Sequence, residues 1–150
     1  MPPNKKRLIL VYAIGVFLFC ADILLRYLAV TQWNEIRAIK NLFGWYPAAN
    51  SGIAFGLAVP TNIILLLSVI FLGLMIWLFR LRESRDNVII AGLVFIFAGA
   101  LANFFDRLFF DSVHDYFLLL TSNFNIADVF IVFGAIVIIL KSYRRVPKQF

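Results

Sequence analysis

The chain has 150 residues, 63% of them hydrophobic and 17% aromatic, with a formal net charge of +6 and a mean hydropathy of +0.91. That composition excludes a disordered chain and an ordinary water-soluble domain. One cysteine, Cys20, excludes a disulfide framework and a cysteine-built metal site, and the basic residues, confined to short clusters beside apolar runs, give no support to nucleic-acid binding.

The first apolar run, Leu8–Leu25, follows Lys5-Lys6-Arg7. This is the layout of a secretory signal peptide, but no small-x-small cleavage site follows and three further apolar runs come after, so the run reads as a retained helix over about 8–27. Cys20 within it reads as a small apolar packer. Asp22 and Arg26, four residues apart near its outer end, read as a structural ion pair at the interface.

An outer segment over about 28–60 comes next. Trp33, Trp45 and Tyr46 are rings favoured at headgroup depth, and the mixed stretch Asn34–Asn41 suits a segment lying along the interface. Pro47, Asn50 and Gly52 supply turn chemistry. The stretch Asn50-Ser-Gly52-Ile-Ala54-Phe55-Gly56 reads either as a turn or as a backbone strip offered to an extended substrate.

The second span, about 62–79, begins after Pro60 with Thr61 as N-cap. A short basic loop leads to the third span, about 88–105, where Gly92 and Gly99 lie two turns apart on one face and allow close helix packing. Asn103, Asp106 and Arg107 end this span. They read either as a polar helix end reaching for water or as part of a site.

The second outer segment, about 108–124, contains Val113–Leu120, a short strand or an interfacial stretch. Asp115 sits in it between His114 and Tyr116, with no capping role to explain an acid in apolar surroundings. His114 reads as a solvated interfacial residue, because one histidine without a ligand cluster does not make a metal site. The fourth span, about 125–140, opens with Asn125-Ile-Ala-Asp128. This is a capping box and suits the helix dipole; it is equally a place to hold a reactive carboxylate.

Ten of the fourteen Lys and Arg residues (Lys5, Lys6, Arg7, Arg80, Arg82, Arg85, Lys141, Arg144, Arg145 and Lys148) fall at one membrane face. By the positive-inside rule both termini are cytoplasmic. Asp22, Glu35, Asp106, Asp111, Asp115 and Asp128 lie at or near the other face, so carboxylate chemistry is expected outside. The fold class is therefore an all-α membrane protein: four transmembrane helices in a single polytopic domain, with a small extracytoplasmic β/loop subdomain and an interfacial segment.

Taken together, the motifs resemble the lipoprotein signal peptidase (signal peptidase II) family of aspartic intramembrane proteases. Asp22-Ile-Leu-Leu-Arg26 is similar to the family's Asp-x-x-x-Lys, with arginine for lysine. Asn50-Ser-Gly52-Ile-Ala54-Phe55 matches its Asn-x-Gly-x-Ala-Phe, and Asn103-Phe-Phe-Asp106-Arg107 its Asn-x-x-Asp-Arg. Val113-His-Asp115-Tyr and Phe124-Asn125-Ile-Ala127-Asp128 resemble the segments that carry the two catalytic aspartates. The resemblance implies a catalytic pair Asp115 and Asp128, supported at the substrate by Asn50, Gly52, Asn103, Arg107 and Asn125, with Asp22, Arg26 and Asp106 structural and neither metal nor cofactor. It implies a multi-pass protein of the bacterial inner membrane whose active site is extracytoplasmic. The expected substrate is a diacylglyceryl-modified prolipoprotein cut before its lipidated cysteine, the expected surroundings are membrane lipids, and the expected inhibitor is of the globomycin type. The alternative is a small transporter, channel or assembly subunit using outer-face carboxylates.

Overall fold

The computed structural model describes residues 5–40, 42–53, 57, 59–81 and 86–143. Ala54, Phe55 and Gly56 of the Asn50 motif, and the basic residues Arg82, Arg85, Arg144, Arg145 and Lys148, lie outside the described residues.

Among the described residues, runs rich in Leu, Ile, Val and Phe form four helices, because in hydrocarbon a helix is the one local way to satisfy every backbone polar group. They are α1 (Lys5–Thr31), α2 (Thr61–Leu81), α3 (Asn87–Phe110) and α4 (Ile126–Tyr143), each long and apolar enough to cross a membrane. The first three extend one to five residues past both predicted limits, while α4 starts one residue later than predicted and ends three residues later. The largest extension at one end is that of α3, which continues to Phe110, so Asn103 and Asp106 lie inside the helix while Arg107 is in its last turn. The helix stops where Asp111 turns left-handed (φ 55°) and its N–H donates to the Arg107 carbonyl. Thr61 is the first residue of α2 and not its cap; its hydroxyl donates to the Asp111 carbonyl at 3.3 Å and so ties α2 to the end of α3. Cys20 faces outward from α1 and does not pack inside.

The third helix is central, packing against α1, α2 and α4. Glycines set its approach to α4. A Cβ at Gly92 would stand 2.8 Å from the Gly134 carbonyl oxygen, and one at Gly99 would run into the Ala127 carbonyl and stand 2.8 Å from Ile131 Cγ1. Backbone therefore meets backbone, as small residues permit. This contact brings Asn103, one turn beyond Gly99, beside Asp128, which follows Ala127. At the other end Met75, Ile89 and Leu93 form an apolar core with Ile96 and Ile138 around them.

Both outer segments join one four-stranded antiparallel sheet in the order β1 (Arg37–Ile39), β2 (Phe43–Asn50), β3 (Val113–Leu119) and β4 (Ser122–Phe124). Arg37–Ile39 is thus a strand, where an interfacial stretch was expected. Pro47 is not in a turn either: it lies within β2, where the pairing with β3 slips between Trp45 and Ala48. An irregularity of this kind accommodates a proline, which has no N–H for the ladder. Trp45 is held in the fold, stacked on Tyr116 (5.2 Å between centroids), with its indole N–H on the Trp33 carbonyl at 2.6 Å.

Candidate active site

Among the described residues, five polar side chains are buried at the sheet end of the bundle: Asp22, Arg26, Asp106, Asp115 and Asn125. Burying a charge is costly unless it is paired and hydrogen-bonded, and here the pairing is extensive. The guanidinium of Arg26 donates through Nε to Asp22, through Nη1 to Asp106 and through Nη2 to Asn103 Oδ1 at 2.7 Å. Asp106 also accepts from the His114 backbone N–H at 2.6 Å, and its other oxygen lies 3.0 Å from His114 Nδ1. The i,i+4 pair of α1 is therefore a buried junction of three elements, unlike the interfacial salt bridge expected. Asp106 does not reach for water, and the half-buried His114 is held against it.

The start of α4 is capped in cis and in trans. Within the chain segment, Asn125 Oδ1 accepts from the Asp128 N–H at 3.0 Å while Asp128 Oδ2 accepts from the Asn125 N–H at 3.2 Å, a reciprocal capping box. From outside, Tyr116 Oη accepts the Ile126 N–H at 3.0 Å and Asp22 Oδ1 accepts the Ala127 N–H at 3.3 Å. Tyr116 also donates to Asp22 Oδ1 at 2.8 Å. Burial, with the Asp22 carboxylate beside it, pushes the Tyr116 phenol well above its usual range. Nothing in the sequence marked Tyr116 as a site residue: it follows Asp115 on the strand, and successive strand side chains point to opposite faces.

The side chain that caps α4 also holds the other acid. Asn125 Nδ2 donates to Asp115 Oδ1 at 2.6 Å, and Asn50 Nδ2 donates to Asp115 Oδ2 at 3.3 Å. Capping and site-building are thus one arrangement, not competing readings. Asp128 Oδ1 accepts from Asn103 Nδ2 at 2.9 Å. Each carboxylate is held by amides from two places, and each keeps lone pairs for another partner. Burial, with Asp128 nearby as a lesser contribution, pushes the Asp115 carboxyl up to about 6.

Asp115 and Asp128 both line a cleft of about 1030 Å³ together with Asn50, Asn103, Arg107 and residues of β2 and the β3–β4 turn. Arg107 donates to the Gly52 carbonyl at 3.2 Å, and Gly52 N–H donates to Asn50 Oδ1 at 3.0 Å, which steadies the Asn50–Gly52 strip beside the cleft. The expected pair and all five of its expected supporters are therefore brought together. Asp22, Arg26 and Asp106 form the layer behind them. Two carboxyl groups on one cleft, one of them with a raised pKa, can divide base and acid roles in hydrolysis.

A family model described as signal peptidase (SPase) II matches residues 14–144. The chain is 33% identical to a lipoprotein signal peptidase of Clostridium novyi (strain NT), over 73% of this chain and 78% of that one. It is 31% identical to a lipoprotein signal peptidase of Aquifex aeolicus (strain VF5), over 95% and 91%. A bacterial membrane enzyme solved by the in meso method at 2.3 Å shares the fold, with a TM-score of 0.84 and 22% identity over 99% of this chain and 94% of that one.

Proposed function

This chain belongs to the signal peptidase II family, multi-pass membrane peptidases that remove signal peptides from prolipoproteins, and we propose that it acts as an aspartic enzyme with Asp115 and Asp128 as its dyad. The observation that carries this reading is their convergence on one cleft, each carboxylate oriented by asparagine donors. Among the described residues, Asp22, Asp106, Asp115 and Asp128 gather at the sheet end of the bundle, Asp86 at the other end is paired with Lys141, and no chain of acids runs between them, so a proton- or ion-relay is not favoured.

The roles divide by surroundings. Asp128 lies in the first turn of α4, where the helix dipole and two N–H donors suit an anion. Asp115, raised by burial, is the partner that holds the shared proton. Water between them gives a proton to Asp128 as its oxygen attacks the scissile carbonyl, and Asp115 passes its proton to the carbonyl oxygen. Collapse of the tetrahedral intermediate returns the Asp128 proton to the departing amide nitrogen and the hydroxyl proton to Asp115. The C–N bond breaks and the dyad is restored.

The substrate in this reading is a prolipoprotein whose cysteine carries diacylglycerol, cut just before that cysteine. Among the described residues, β1 pairs with β2 only over Phe43–Trp45, so Ala48–Asn50, paired with β3 on one side beside the cleft, have no strand partner on the β1 side. An extended peptide can add there as a strand while its signal helix and acyl chains stay in lipid. Lys141 pairs with Asp86 at 2.7 Å, which joins the start of α3 to the end of α4 at the face opposite the cleft and supports cytoplasmic termini with the cleft on the outer side. The test is mass spectrometry of the products from a lipid-modified precursor. A product beginning with diacylglyceryl-cysteine, and its loss with the cyclic peptide globomycin, are expected; cleavage elsewhere, or unimpaired cleavage at saturating globomycin, contradicts the reading.

A further inference from the structure

Arg26 is 4% exposed and directs three different nitrogens at three acceptors, Asp22, Asp106 and Asn103. A guanidinium donates and never accepts. Asn103 must therefore turn its oxygen toward Arg26, and the planar amide then presents Nδ2 on the opposite side, where Asp128 Oδ1 accepts it at 2.9 Å. The reversed amide would set oxygen against carboxylate and N–H against guanidinium. We propose that Arg26 is a positioning residue for proteolysis, acting through Asn103 to keep a hydrogen-bond donor on Asp128; this rests on the reading of Asp128 as the ionised partner of the dyad.

Arg26 is itself fixed. Asp22, which it contacts, is anchored by Tyr116 and the Ala127 N–H, and Asp106 by two atoms of His114. The guanidinium is thus held on three anchored acceptors, so orientation set in α1 passes through α3 to α4. The other charged or titratable groups around this path are Asp115, His114 and Tyr116 from β3, Asp106 and Arg107 from α3, and Asp22 from α1. None of them contacts Asn103 Oδ1 in place of Arg26.

The test compares pH profiles of kcat/KM for the full chain in detergent, acting on a lipid-modified precursor, in wild type, Arg26→Lys and Arg26→Gln. Lysine has only donors and preserves the sense of the Asn103 amide. Glutamine has a donor and an acceptor and lets the amide turn over, which removes one charge-assisted hydrogen bond from the dyad. Arg26→Lys is expected to keep the dyad's acidic limb in place, and Arg26→Gln to move it up by about one pH unit with KM nearly unchanged. An unmoved limb in Arg26→Gln, or equal shifts in both variants, overturns the proposal. Where Arg26→Gln does not fold, Asp22→Asn is added to remove the carboxylate that lost its counter-charge, and the same shift is expected. Failure of both to fold also overturns the proposal, since Arg26 is then a folding residue. Asp128→Asn separates the two ideas: normal processing by it sinks the dyad, whereas an inactive Asp128→Asn with an unmoved Arg26→Gln limb sinks only the role of Arg26.

Discussion

Replacing Asp115 by asparagine should stabilise the protein at neutral pH relative to acid while destroying its activity. The Asp115 carboxyl is 3% exposed, and burial lifts it from the ordinary 3.8 to about 6. The folded state therefore holds this proton more tightly than the unfolded state does. Below pH ~4 both states are protonated at this group and no cost arises. Between about 4 and 6 the unfolded chain ionises freely and the folded one does not, so wild-type stability falls; above about 6 the full cost is present. Two pKa units amount to about 3 kcal/mol. Asparagine cannot ionise, and although its amide mispairs with Asn125 or Asn50 at a cost of about 1–3 kcal/mol, that offset is the same at every pH. The stability difference, mutant minus wild type, should thus rise by about 3 kcal/mol from pH 4 to pH 7, or roughly 6–12 °C in Tm for a chain of this length. Tryptophan fluorescence on heating in detergent reads it directly. Parallel curves for the two proteins across that range would refute the reasoning.

Asn125 should show two separable roles. Asn125→Ala is expected to lose about 1–2 kcal/mol through the α4 cap and at least ~100-fold in cleavage rate, whereas Asn125→Ser should regain most of the stability and little of the rate, because serine can cap α4 but cannot donate to Asp115 as the amide does; equal recovery of both in melting and cleavage assays would contradict this. Tyr116→Phe removes the hydroxyl that serves both Asp22 and the Ile126 N–H. It should lower stability by about 1–3 kcal/mol in the same melting assay, and an unchanged Tm would rule out the proposed trans-cap.

The spans were legible because lipid demands a property visible in single residues: continuous apolarity over the thickness of the bilayer. Their ends were less so. Asp106 and Arg107 looked like a helix terminus because charges usually seek water, but Asp106 finds Arg26 from α1 instead, and the helix runs on through Leu108–Phe110. Strand β1 is three residues long and exists by pairing with Phe43–Trp45, a partner that local pattern does not reveal. Pro47 carried a turn signal that the slip in β2 overrides. In the site, Asp115 stood out because no local role explained it, and its partner Asn50 lies 65 residues away. Asn125 and Asp128 carried a correct capping signal that hid how the same amide reaches Asp115. Tyr116 carried no readable signal, and the solvated reading of His114 fails because its partner Asp106 comes from α3; each acts through an acid placed by another element.

The central claim is that Asp115 and Asp128 together perform the cleavage. Its most direct test is gel-shift processing of a lipid-modified precursor by wild type, Asp115→Asn and Asp128→Asn, each inserted in membranes at equal amount. The account predicts complete conversion by wild type and none by either variant. Conversion at the wild-type rate by either variant would contradict it.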